Sequence, residues 1–218
     1  MTAGFAWPEF MFLLRAMQWT LLLSVIAFIG GGVVGLAVAL ARTARPKWLQ
    51  RMMAFYIGVF QGTPLLLQLF CVYYGLGLFG IQLPAWASVA IAFTLNASAF
   101  LGEIWRGAIQ AVPGGQAEAA TALGLKPLVR MTHVVLPQAF RIAQPATVGY
   151  LVQLIKGTSL AAIVGFIELT RAAQIVSNST FQPILVFGVV GVLYFVLCWP
   201  LSFYSGRLEK RLAQSGAR

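Results

Sequence analysis

An all-α integral membrane fold is predicted, and three observations predict it. The chain of 218 residues is 60% hydrophobic and only 9% charged, with a mean hydropathy of +0.85. A soluble domain of this size carries roughly a quarter charged residues, so lipid must solvate much of this surface. Apolar runs long enough to cross a hydrocarbon core of about 30 Å recur along the chain. The basic residues, which give a formal net charge of +10, gather at the ends of those runs. They form no continuous stripe of the kind that binds nucleic acid. The expectation is one transmembrane domain over residues 1–218, with five spans.

Taken in order, Met1 to Trp19 is mildly amphipathic, and the first apolar run is Thr20 to Ala41. Ala39-Leu40-Ala41 resembles a signal cleavage site, but the run exceeds the typical apolar region of about 7–15 residues, so a retained helix is expected. Gly31 and Gly35 lie four apart on it and can permit close helix approach. Met52 to Pro84 contains no charge and is too long for one perpendicular span. Gln61-Gly62-Thr63-Pro64 is the expected interruption, because Pro64 removes a donor and disfavours helix at Thr63. Ala85 to Gly102 is the third run, ending at Glu103 and Arg106. Pro145 to Ile167 is the fourth, with Lys156 inside it. Glu168 to Gln182 reads as a polar connection, with Glu168 and Arg171 spaced for an ion pair, and Phe181 to Phe203 is the last span before a basic tail. Cys71 and Cys198 fall inside apolar runs and read as small buried hydrophobes.

Five spans put the termini on opposite faces. One face then holds Arg42, Arg45, Lys47, Arg51, Arg106, Lys126, Arg130, Arg141, Arg207, Lys210, Arg211 and Arg218, and the other only Arg15 and Arg171. The positive-inside rule accordingly places the N-terminus outside and the C-terminus in the cytoplasm.

Between the third and fourth runs lies a polar stretch, Gln116 to Pro137, with Glu118, Lys126, Arg130 and His133. Good helix formers from Glu118 to Leu123, a stop at Gly124, Pro127 in the first turn of a second helix and Pro137 as its end predict two short cytoplasmic helices with a bend between them.

Within this stretch Glu118-Ala119-Ala120, three further residues, Gly124, nine more, and Val134-Val135-Leu136-Pro137 resemble the EAA loop of ABC importer permeases, with Val134 where Ile is usual. Phe60-Gln61-Gly62-Thr63-Pro64-Leu65, Glu103 to Gln110, Leu136-Pro137-Gln138-Ala139 and Ile155-Lys156-Gly157-Thr158-Ser159-Leu160 are similar to the polar amino-acid branch. Gln61 replaces a common Arg, and Gly157 a common Asp or Asn. The resemblance implies that Glu118, Ala119, Ala120, Gly124, Leu136 and Pro137 couple the chain to an ATPase. It also implies ATP and Mg held by two partner ATPase subunits, a second permease subunit, an extracytoplasmic solute-binding protein and a bacterial inner membrane as the location.

Several polar residues stand apart inside apolar runs. Lys156 costs about 2.5–3.5 kcal/mol near a helix centre; it either snorkels, pairs with Glu103, or lines an internal cavity. Thr158 and Ser159 offer hydroxyls to a solute or to their own backbone. Gln61, Thr63 and Gln68 surround the interruption, where a broken helix exposes backbone groups. Asn96 suits either a helix–helix hydrogen bond or a ligand contact. These seven form the candidate substrate path.

No phosphate-binding loop occurs, aspartate is absent and only five glutamates are present. Catalytic and metal-binding residues are therefore not expected, and nor is a cofactor in this chain. The function expected is a non-catalytic permease subunit importing a polar amino acid, or a close relative such as cystine, by alternating access. The alternative is a non-transporting membrane scaffold or receptor subunit that docks an ATPase.

Overall fold

A computed structural model describes residues 4–216; Arg218 of the basic tail lies outside them. The described chain folds into helices α1 (Trp7–Thr43), α2 (Lys47–Gly62), α3 (Leu65–Leu78), α4 (Ala85–Gln110), α5 (Gly114–Ala122), α6 (Pro127–Val164), α7 (Leu169–Thr180) and α8 (Pro183–Gly216). Four of these, α1, α4, α6 and α8, are long and apolar enough to cross a membrane. The pair α2 and α3 passes that test together but is bent by 104°, and counting it as one broken span makes five.

Most helices outrun their apolar cores. Met1 to Ala3 lie outside the described residues; from Trp7 on, the amphipathic N-terminal stretch forms the opening turns of α1, where the Glu9 carboxylate accepts the free Ala6 N–H at 3.0 Å. The basic tail continues α8, since Arg, Leu, Glu, Lys and Ala all propagate a helix. The stretch read as a polar connection is largely the helix α7.

Close packing of α1 on α4 organises the bundle. A Cβ on Gly31 would lie 2.4 Å from the Ala97 Cβ, and one on Gly35 3.0 Å from the Ser98 carbonyl oxygen. Bare backbone faces bare backbone here, the arrangement that lipid-embedded helices use where hydrophobic burial offers little drive. The main core joins Leu23 and Ala27 of α1, Leu69 of α3, Val89, Ala92, Phe93, Ala97 and Leu101 of α4, and Tyr150 and Leu154 of α6.

Two expectations are corrected. Pro137 does not end a short helix: α6 runs from Pro127 to Val164. Met131–Val135 forms a π turn, so the ring of Pro137 follows a wider turn and the proline is accommodated within the helix. Gln138 also donates its side-chain amide to the Val134 carbonyl at 2.9 Å. Cys71 is exposed, whereas Cys198 is buried.

Candidate functional site

The break in the second span leaves the last carbonyls of α2 without helical partners, a costly state away from water. Thr63, extended before Pro64 (φ −115°, ψ 144°), donates its hydroxyl to the Val59 carbonyl at 2.7 Å. Gln68, one turn into α3, folds its amide back and donates to the carbonyls of Phe60 at 2.8 Å and Thr63 at 3.0 Å. Its Nε2 also lies 3.0 Å from Thr63 Oγ1. The side chain thus caps the helix end that the proline creates.

The amide chain continues across the bundle. Asn96 Nδ2 on α4 donates to Gln68 Oε1 at 3.0 Å, and the Tyr150 hydroxyl on α6 donates to Asn96 Oδ1 at 3.2 Å. Three spans are therefore tied at one level by Tyr150, Asn96, Gln68 and Thr63. Beside this chain opens a cavity of about 270 Å³, lined by Thr63, Leu65, Asn96, Phe100, Tyr150, Gln153, Leu154, Gly157 and Leu160. Its walls combine apolar surface with a few convergent amide and hydroxyl groups, the usual make-up of a small-molecule site.

Of the seven candidate path residues, Thr63, Gln68 and Asn96 come together here. Gln61 is exposed and makes one long contact, 3.5 Å from its Nε2 to the Ala99 carbonyl. Lys156 lies on another face of α6 and lines an open groove of about 410 Å³ with Gly191, Tyr194, Phe195, Cys198, Trp199 and Ser202. Among the described residues Lys156 has no ion pair; Glu103 instead binds Arg106 one turn along α4. Thr158 is buried and donates to the Ile155 carbonyl at 2.7 Å, and Ser159 donates to the Lys156 carbonyl at 2.8 Å. Both hydroxyls are thus engaged by their own backbone.

Tyr150 and Gln153 were not singled out in the sequence. With Gly157 they fall at i, i+3 and i+7 on one face of α6, a spacing that could have found them.

The polar stretch between the third and fourth spans forms α5 and the start of α6. Gly124 adopts φ 75°, Leu125 N–H bonds the Ala120 carbonyl and Gly124 N–H the Thr121 carbonyl, a helix stop that glycine permits at low cost. Arg130 Nη1 donates to Thr121 Oγ1 at 2.7 Å and ties the two arms. Glu118 and Ala119 face solvent, Ala120 is buried, and Leu123 and Leu128 are exposed. Val135, Ala139 and Ala143 of α6 pack with Ala108 and Ile109 of α4 and with Val112 just beyond it, with Leu136 against them.

The predicted Glu168–Arg171 ion pair does not form. The Glu168 carboxylate caps α7, accepting the N–H of Thr170 and of Arg171 at 2.8 Å each, while the Arg171 guanidinium donates to Gln174. The first N–H groups of a helix lack acceptors, and the inward carboxylate serves them. Burial pushes the Glu168 carboxyl above the ordinary carboxylate range, offset in part by those hydrogen bonds.

Residues 31–214 match the family described as "Binding-protein-dependent transport system inner membrane component". The chain is 35% identical to a probable amino-acid ABC transporter permease of Bacillus subtilis, covering 94% of this chain and 91% of that protein. It is 36% identical to an L-cystine transport system permease of the same organism, covering 94% and 87%. A putative glutamine transport system permease of Rickettsia felis is 34% identical, covering 94% and 95%. Among solved structures, an amino acid ABC transporter crystallised with histidines superposes with a TM-score of 0.85 at 34% identity, covering 92% of this chain and 94% of that one. An inward-facing MetNI methionine ABC transporter superposes at 0.79 with 22% identity, over 95% and 99%, and shares the fold.

Proposed function

The chain belongs to the binding-protein-dependent transport system inner membrane components, and from that premise we propose that it carries a polar amino acid, or a close relative such as cystine, into the cytoplasm by alternating access. The relatives named for L-cystine and glutamine support that substrate class. The observation that carries the mechanism is the continuity of α6. One helix begins in the coupling segment at Pro127 and supplies Tyr150, Gln153 and Gly157 to the cavity wall.

In this reading the N-terminus is outside and the coupling segment, residues 116–137, is cytoplasmic. Two ATPase subunits, holding ATP and Mg, engage Glu118, Ala119 and Ala120, with Gly124 setting the bend. Their closure displaces α6 through the packing of Leu136 around Pro137. A second permease subunit completes the path, and an extracytoplasmic binding protein delivers the solute. Thr63 and Asn96, held in place by Gln68 and joined by Tyr150 and Gln153, present amide and hydroxyl groups to a zwitterion. Gln61 flanks the break. Lys156 gives the groove on the α8 side a positive potential, with Thr158 and Ser159 shaping the end of α6.

Reconstitution with the partner ATPase and candidate binding proteins tests this. The expected result is ATP hydrolysis stimulated by one binding protein and uptake of its polar amino acid. ATPase docking without uptake of any amino acid would instead favour the non-transporting scaffold.

A further inference from the structure

Glu168 does more than a helix cap requires. A serine or aspartate would serve the first N–H groups of α7, yet here a longer carboxylate is fully buried, at 0% exposure, with no ion pair among the described residues. Its Oε1 accepts the Arg171 N–H. Its Oε2 accepts the Thr170 N–H and also the hydroxyl of Tyr194 on α8, at 3.0 Å. That hydroxyl lies 3.1 Å from Thr170 Oγ1, and the Tyr194 ring packs against Val152 and Ile155 of α6. Glu168 itself follows the 3₁₀ turn with which α6 ends, tied back to it by the Phe166 N–H on the Ala161 carbonyl at 3.2 Å. The next residue, Leu169, donates its N–H to Thr20 Oγ1 on α1 at 3.1 Å, and Thr20 is itself fully buried. Four elements therefore meet around one carboxylate: the end of α6, the start of α7, and the N-terminal halves of α1 and α8.

We propose that Glu168 is a positioning residue for transport: through the Tyr194 hydroxyl it latches the far end of α6 to α8, so that a stroke entering α6 at the coupling segment moves both helices together. The inference rests on the transport reading above. A buried carboxylate satisfied by hydrogen bonds holds its partners in one geometry, because releasing any of them leaves a costly unpaired group. Tyr194 also walls the groove that Lys156 faces, so the latch fixes the shape of that groove as well.

The test uses the complete transporter in proteoliposomes and reads amino acid taken up per ATP hydrolysed. Glu168→Gln keeps the size and one acceptor of the side chain, and Tyr194→Phe removes only the hydroxyl. Each is expected to lower the ratio about tenfold, the loss of one hydrogen bond to a charged group. ATP hydrolysis should remain stimulated by the binding protein, and the double variant should fall no further than the worse single one. An unchanged ratio, with only yield or melting temperature reduced, overturns the latch; so do losses that multiply in the double variant. Should Glu168→Gln fail to assemble, an unchanged ratio in Tyr194→Phe alone overturns it. A wild-type complex that shows no stimulated hydrolysis would sink the transport reading instead, which keeps the two failures apart.

Discussion

Asn96 on α4 donates its side-chain amide to Gln68 on α3 at 3.0 Å, and this one bond joins the third span to the break in the second. Gln68 spends its own amide on the carbonyls stranded by Pro64, so the polar chain both stabilises the bend and lines the cavity. Asn96→Leu would leave Gln68 Oε1 and the Tyr150 hydroxyl unpartnered. The expected cost is about 1–3 kcal/mol, seen as a lower melting temperature in detergent. Amino-acid uptake should be lost while ATPase docking persists. Unchanged uptake would remove this chain from the solute path.

The approach of α1 to α4 has no room for a side chain at Gly31, where a Cβ would sit 2.4 Å from that of Ala97. Gly31→Val is expected to destabilise the subunit by roughly 1–3 kcal/mol, the cost of overpacking. Gly58, whose Cβ would meet nothing within 4 Å, is the control: Gly58→Ala should leave the melting temperature unchanged.

Glu118 is exposed on α5, so reversing its charge should leave folding intact. Glu118→Lys is expected to abolish coupled uptake, with thermal stability of the isolated permease within about 0.5 kcal/mol of the parent. Full uptake together with normal stimulated hydrolysis would show that the ATPase docks elsewhere.

The topology can be read by labelling. A cysteine placed at His133, in a chain whose own cysteines are replaced by serine, should react with an impermeant maleimide in inverted vesicles but not in intact cells. Reaction from outside intact cells would put the coupling segment on the wrong face of the membrane.

Glu168 gives a pH dependence with a definite sign. Its carboxyl is raised above the ordinary carboxylate range by burial, so folding is favoured less once the carboxyl is ionised. That contribution to stability is fully present below the unfolded pKa of about 4.3 and is lost as pH rises through the folded value. Tyr194 and Arg171 are the titratable residues bonded to it, through the hydroxyl and the backbone N–H. Glu168→Gln should therefore flatten the decline in melting temperature above the ordinary carboxylate range. An identical pH profile in the variant would show that the carboxyl titrates normally.

Much of the architecture was legible in the sequence because transfer into lipid depends on composition and length, which a linear reading measures directly. The apolar runs located the spans, Gly62-Thr63-Pro64 located the break, and Gly124 located the stop between the coupling arms. Gly31 and Gly35 were read as a place of close approach, and α4 meets them there. The reach of the helices was less legible: α1 and α8 extend well past their apolar runs, since hydropathy reports where lipid is and not where backbone hydrogen bonding ends.

By itself the sequence determined a membrane-embedded helical protein, the family to which it belongs, and the polar residues available to do its work. Tertiary structure decided which of them meet. It set Thr63, Gln68 and Asn96 in one hydrogen-bonded chain with Tyr150, turned Lys156 to a separate groove, and gave Glu168 to Tyr194 rather than to Arg171. It also carried α6 through Pro137 on a π turn, making one continuous helix of what reads as two segments. The physical reason is that a hydrogen bond in a low-dielectric interior goes to whatever donor the packing delivers, and packing brings together residues tens of positions apart.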